Sequence, residues 1–348
     1  MRLRGQSPVL WRCEGSSQIG SEPGLALVVE SLDGPAQRFL DRLPADEAEA
    51  GPGWVRLAAR WAGLALEDAE GLVADLEAAG ALTRAGTPRT ADERYWDLLC
   101  EDPHERTRRL ASVVVGLIGS GDPALELACL LEEAGVGSVL AHDPPLAAWL
   151  EENRPGLTVR APASTVPDLV ITLEAHVIDP VRARALAQTG ASHLPVTVRA
   201  ASVRVGPVLG PGAPVCHGCL DLAERDADQS WPAVATQLRM TPAPPTERLL
   251  LHQSSSLAAR AALDALLGEP WWGRSVELSG RDAAGLERLW EPHPECLCSA
   301  GLEPPSTTPG AQTVSDAEAW DPASAESDES GGLGEAAGAA APAAVGVR

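Results

Sequence analysis

The stretch LASVVVGLIGSG (residues 110–121), followed by DPALELACLLEEAGVG (122–137) and VLAHD (139–143), decides the fold. An apolar run enters a glycine turn, a helical pattern closes on glycine, and a second apolar run ends on Asp143. That is a βαβ unit, the opening of a doubly wound α/β sheet. DLVITLEA (168–175) adds a buried strand, and HLPVTVRAASVRVGPVLGPG (193–212) reads as strands beyond it. A helical stretch runs from Thr246 to Gly268.

Gly116, Gly119 and Gly121 punctuate the first strand-to-helix turn with the spacing GxxGxG, whereas dinucleotide sites use GxGxxG. Such a loop lets backbone amides approach a phosphate at the positive end of a helix. Asp122 and Pro123 follow, and the same residues suit a tight turn with Asp122 as helix cap and Pro123 in the first helical position.

Ahead of this unit, PVLWRC, QIG and LALVVE (within residues 8–30) read as short strands separated by turn residues. Asp33 caps a helix with Ala36, Phe39, Leu40 and Leu43 on one face. Trp54, Leu57, Ala58 and Trp61 line a second, and Asp68 starts a third carrying Ala69, Leu72, Val73, Leu76 and Ala79 before Gly80. Three strands and three helices in residues 1–90 predict a winged-helix domain, with 91–110 as linker. Acidic runs such as DRLPADEAEA would repel a duplex backbone. They are read either as solvated helix faces or as the surface of a peptide-recognition domain that pairs an extended segment with the edge of PVLWRC, QIG or LALVVE.

Farther on, Cys216 and Cys219 in PVCHGCLDL are answered by Cys296 and Cys298 in HPECLCSA. Two close pairs brought together supply four thiolates for one tetrahedral Zn²⁺, a closed and therefore structural shell. Two disulfides or four unrelated core thiols are the alternatives; an odd total of seven cysteines and an opening without a secretory pattern speak against disulfides. Cys13, Cys100 and Cys129 read as buried small hydrophobes. His217 and His293, beside the zinc cysteines, are either supporting hydrogen-bond donors or, by the commoner pattern, exposed loop residues.

The 348 residues carry a net charge of −22, which disfavours nucleic acid and anionic membranes and would steer in a basic partner or peptide. No apolar run approaches the roughly 20 residues that span a bilayer; a cytoplasmic protein is expected. Arginine is the sole strong cation: there is no lysine, and Asn153 is the only asparagine. This usage matches a high-GC genome such as an actinomycete's, and it removes any step that needs a lysine ammonium. Residues 303–348, rich in Ala, Gly, Pro, Ser and acids, are expected to form a disordered acidic tail.

The βαβ segment, DLVITLEAH, the HLPVTV to CHGCLDL stretch and HPECLCSA together resemble the ThiF-like branch of the ubiquitin-activating adenylyltransferase superfamily. More closely, they resemble the leader-peptide-binding or cyclodehydratase components that act in thiazole/oxazole-modified peptide biosynthesis in actinobacteria. CHGCLDLAERDADQSWPAVATQLR and HPECLC carry most of that likeness, and residues 1–90 look like the PqqD-type winged helix. The resemblance implies a Rossmann-like ThiF-type sheet at 111–302, a leader-peptide ligand, a separate YcaO-type cyclodehydratase as partner, and a homodimer. By position Asp143 resembles the family's ribose-binding acid. The family's GxGGxG loop is altered, its lysine is missing, and Glu174 is the only acid near the end of the DLVITL strand. A degenerate nucleotide site at Gly116, Gly119, Gly121 and Asp143, with no catalytic residue, is therefore expected. The alternative is an active enzyme that adenylates a carboxyl terminus with ATP and Mg²⁺. A nucleotide-dependent oxidoreductase rests on the βαβ unit alone.

Overall fold

The computed structural model describes residues 1–99, 102–162 and 164–298; Cys100 and the segment expected as an acidic tail lie outside them. The chain divides into two compact units, Met1–Arg160 with Glu247–Trp271, and Ala161–Thr246 with the chain from Trp272 onward.

The first unit opens with β1 (Arg2–Leu3), β2 (Val9–Cys13), β3 (Ser16–Ile19) and β4 (Leu27–Glu30). Helices α1 (Gly34–Leu40), α2 (Trp54–Ala62) and α3 (Leu66–Ala78) follow, and then β5 (Leu82–Thr83). β2, β3 and β4 form an antiparallel sheet in that order, while β1 pairs with β5. Asp33 caps α1 by accepting from the Ala36 N–H, and Phe39 and Leu40 are fully buried beneath it.

α2 turns differently from expectation. Ala58, Ala59 and Ala62 are its buried face, and Leu57 and Trp61 are exposed. Small residues let α2 approach the core closely. The Trp61 ring instead stacks on the Arg42 guanidinium, 3.2 Å from its centroid.

The stretch expected as linker is largely helical, with α4 (Ala91–Leu98) and α5 (Pro103–Ser112). Thr90 and Asp102 accept the capping N–H groups of these helices. Next come β6 (Val114–Ile118), α6 (Gly121–Glu133), β7 (Ser138–Ala141) and α7 (Pro144–Asn153). β6 and β7 pair in parallel, Val115 opposite Val139, as a βαβ unit requires. The later helix α11 (Arg248–Leu267), capped by Glu247 and ended by the left-handed Gly268, belongs to this unit and packs against α6 and α5.

The second unit contains β8 (Leu169–Ala175), α8 (Pro180–Thr189), β9 (Ser192–Val198) and β10 (Ser202–Val205). It continues with α9 (His217–Ala227), α10 (Trp231–Arg239), β11 (Arg274–Ser279) and β12 (Asp282–Leu289). β8 and β9 are parallel, and β9 through β12 are successively antiparallel. Within the second unit the strands thus run in mixed direction in the order β12-β11-β10-β9-β8, and within the first β6 lies beside β7. The sequence reading missed the β11–β12 hairpin, whose exposed residues, Leu286 and Leu289 among them, break the alternation that marks a half-buried strand.

The four-cysteine centre and the glycine turn

Cys216 is the N-cap of α9 and Cys219 lies in its first turn, so one helix start presents two thiols. Cys296 and Cys298 follow β12 and arrive on the same point. The four Sγ atoms lie within 4.8 Å of one another, with Cys216–Cys296 at 3.5 Å, Cys219–Cys298 at 3.3 Å and Cys216–Cys219 at 3.9 Å. A tetrahedron with metal–sulfur bonds of about 2.3 Å has edges of about 3.8 Å. The cluster therefore has the size of a metal-thiolate site, and none of these three pairs is near the roughly 2.05 Å of a disulfide.

Gly218 explains the residue between the cysteines. A Cβ there would stand 3.2 Å from Cys296 Sγ and 3.5 Å from Cys216 Sγ, crowding the sulfurs.

Burial pushes the Cys216 thiol up, and burial together with hydrogen bonds to its three neighbours pushes Cys298 up as well. Burial acts the same way on Cys219, but hydrogen bonds from the backbone at Cys216 and His293 and from the other thiols outweigh it, leaving this thiol lowered to about 7. Thiolates held this close repel one another, and a cation bound between them would remove that penalty.

Around the sulfurs the support is built from α9. His293 is buried rather than exposed. Its Nδ1 accepts from the Glu295 N–H at 3.1 Å, so Nε2 carries the proton it donates to Asp226 at 2.9 Å. That bond, then Arg225, hold the Asp226 carboxyl below its usual range. Arg225 also pairs with Glu295 at 2.9 Å. Two contacts thus fasten the Cys296 loop to the helix that carries Cys219.

His217, expected as an exposed loop residue, is instead the first residue of α9. Its side chain is largely enclosed and lies 3.6 Å from Asp221. Beneath the centre, Ile178, Ala183, Leu209, Val215, Leu220 and Trp290 form an apolar floor. Cys13 is exposed and Cys129 half-buried, so neither is the buried hydrophobe that composition suggested; Cys13 ends a strand of the small sheet, where its side chain faces solvent.

The glycine turn belongs to the first unit. Gly116 is a paired residue of β6 opposite Leu140, which leaves Gly119 and Gly121 in the turn, the latter with φ 73°. Ser120, not Asp122, is the N-cap of α6. The Asp122 carboxylate makes no capping bond among the described residues and reaches the Arg248 guanidinium at 3.2 Å, because the helix starts at Gly121, two residues earlier than the Asp-Pro signal implies. Asp143 lies just past β7 and accepts from the Leu146 N–H at 3.1 Å, capping α7.

In the second unit, Glu174 is buried near the end of β8. Its Oε2 accepts from Arg182 at 2.9 Å, and burial, only partly offset by Arg182, pushes its carboxyl above the usual range.

Comparison with known proteins returns no matching family model and no curated protein. Among solved structures, E. coli MccB with succinimide has a TM-score of 0.60 at 12% identity, covering 85% of this chain and 98% of that one. MccB, a microcin C7 biosynthetic enzyme, is also similar in its complex with ATP, at a TM-score of 0.59 and 12% identity over 85% of this chain and 98% of that one. A heterocyclase in complex with substrate and cofactor has a TM-score of 0.59 at 15% identity over 83% of this chain; the chain spans 38% of its length. At these identities the likeness is one of fold.

Proposed function

We propose that the chain is a leader-peptide-binding component of a peptide-modifying system. It holds a structural zinc at Cys216, Cys219, Cys296 and Cys298 and has a nucleotide site too degraded to run adenylation. The observation that carries the second part is the fate of the acids. Carboxylate activation needs the triphosphate neutralised and oriented. Here Asp122 puts a carboxylate at the start of α6, Asp143 caps α7, and Glu174 is buried against Arg182. No lysine is present to answer the phosphates. Zinc follows from the donor set, since four thiolates in a closed tetrahedron suit that ion best.

The peptide reading rests on residues 1–90, taken as a PqqD-like winged helix. β3 is paired on both sides, so QIG offers no edge; β2 and β4 are the edges. Beside β4 a groove of about 390 Å³ is lined by Leu27, Val29, Leu64 and Leu72, with Asp68 and Asp75 on α3. An extended peptide pairing with β4 would place alternate side chains in that groove and basic ones against the two aspartates. The reading is in keeping with two proteins of similar fold, MccB seen with MccA and a heterocyclase seen with its substrate. Presentation to a YcaO-type enzyme, a homodimeric state and a cytoplasmic setting belong to the same reading.

The active-enzyme alternative is favoured by one observation, that MccB, whose fold this chain shares, is seen with ATP. Pyrophosphate exchange with ATP, Mg²⁺ and leader peptides separates the two. No exchange, together with micromolar peptide binding by fluorescence anisotropy, supports the scaffold. Exchange that disappears in Asp143→Ala replaces it with the enzyme.

A further inference from the structure

On the face of the second unit's sheet that meets α8 and α9, three buried polar atoms make no hydrogen bond of ordinary geometry among the described residues: Glu174 Oε1, Thr197 Oγ1 and Arg204 Nε. They are not scattered. Glu174 on β8 is the register partner of Thr197 on β9, and Thr197 is the register partner of Arg204 on β10. Paired residues point to the same side of a sheet, and neighbouring strands are about 4.8 Å apart. The three side chains therefore form one row across three strands. Exposure is 4% for Glu174, 1% for Thr197 and 5% for Arg204, so bulk solvent does not satisfy the row.

One further atom of each charged group is committed. Glu174 Oε2 takes the Arg182 guanidinium, and Arg204 Nη1 donates to Glu224 at 2.8 Å. Arg288 donates to the same Glu224 oxygen at 3.0 Å, and Glu224 lies on α9, the helix that carries Cys219. The row is thus the seat of the helix that supplies half of the thiol centre.

We propose that this row is a hydration site: ordered water, held by Glu174 Oε1, Thr197 Oγ1 and Arg204 Nε, completes the seat of α9. The chemistry excludes other small occupants. Glu174 Oε1 offers an acceptor and Arg204 Nε a donor, with the Thr197 hydroxyl serving as either between them. A metal cation would face the guanidinium, and an anion would face the carboxylate. Water both donates and accepts, and buried water makes about three such bonds. The alternative is that the three atoms are orphans of the fold, each left with its desolvation cost.

Thr197→Val separates these by sign, because it replaces a hydroxyl with a methyl of nearly the same shape. Removing an orphan hydroxyl is neutral or stabilising, whereas removing one that binds water strands its partners. The full chain is melted as wild type, Thr197→Val and Thr197→Ser. The expected result is a melting temperature lowered by about 2 °C or more in Thr197→Val and largely kept in Thr197→Ser. A crystal structure of the wild type should show a water peak within hydrogen-bond distance of Thr197 Oγ1 and of Glu174 or Arg204, absent from Thr197→Val. An unchanged or raised melting temperature in Thr197→Val, or a dry row with the three side chains bonded directly to one another, overturns the proposal.

Discussion

Arg2 and Asp97 are joined by a two-pronged ion pair, Nη1 to Oδ2 at 2.6 Å and Nη2 to Oδ1 at 3.0 Å, with neither side chain exposed to solvent. The second residue of the chain is thereby fixed to α4. The Gly86 carbonyl accepts from the same guanidinium, and the Gly5 N–H donates to the same carboxylate. Breaking a buried pair by removing one partner strands the other charge, at a cost of about 3–5 kcal/mol. Asp97→Ala is therefore expected to lower the unfolding free energy of the first unit by that order, read as the midpoint of urea unfolding. A change below about 1 kcal/mol would mean that Arg2 finds water or another partner.

Purified protein is expected to carry one zinc per chain by elemental analysis. Cys219→Ser should lose the metal and unfold the second unit, because binding energy in such sites is folding energy. Gly218→Ala tests the geometry without touching a ligand. Its Cβ falls 3.2 Å from Cys296 Sγ, and zinc affinity measured against a competing chelator should weaken about tenfold or more. Full affinity in Gly218→Ala would show that the loop yields easily; less than half an equivalent of zinc in the wild type would count against the metal itself.

Asp68 and Asp75 stand on α3 beside the groove at β4. Reversing both charges to arginine should weaken binding of a basic leader peptide, with the loss shrinking as salt rises because exposed charges are screened. Each exposed charge contributes on the order of 0.2–1 kcal/mol, so a combined loss of roughly two- to thirtyfold is the scale to look for in anisotropy titrations. Equal affinity at low salt would place the peptide elsewhere.

His193 is the residue through which acid should act. Its ring is buried in the second unit, with Nε2 2.8 Å from the Thr172 hydroxyl. Burial, reinforced by His217 and Arg182, holds its pKa at about 3, against 6.5 in the unfolded chain. The native state keeps it neutral, so its contribution is whole above pH 6.5 and is lost as pH falls from 6.5 toward 3, at about 1.4 kcal/mol per pH unit. Urea unfolding at pH 7.5, 6 and 5 should show this slope in the wild type and a shallower one in His193→Gln. Proton-driven loss of metal from the thiols would act on both proteins alike. Parallel slopes would remove His193 from the account.

Local signals in the chain announced much of this. VVVGLIG followed by a glycine-closed helix and VLAHD sets a parallel β6–α6–β7 unit, because an apolar run, a turn and a 3.6-residue period leave few alternatives. Asp33, Gly80 and Gly268 mark their helix ends as read, since a capping side chain or a left-handed glycine acts within a few residues of itself. The meeting of the two cysteine pairs was legible too, since two close pairs of thiols are written in residue type and spacing.

What only the tertiary structure decided is everything that depends on a partner far along the chain. The turn of α2, with Ala62 inward and Trp61 outward, follows from close helix packing and from Arg42, which periodicity cannot see. Asp122 looked like a cap but pairs with Arg248, 126 positions away. The row of Glu174, Thr197 and Arg204 is created by strand register, and the clamp of His293 on Asp226 by the meeting of α9 with the segment after β12. Side-chain type fixes what a group can do; burial and neighbours fix its charge and use, and those are properties of the folded chain alone.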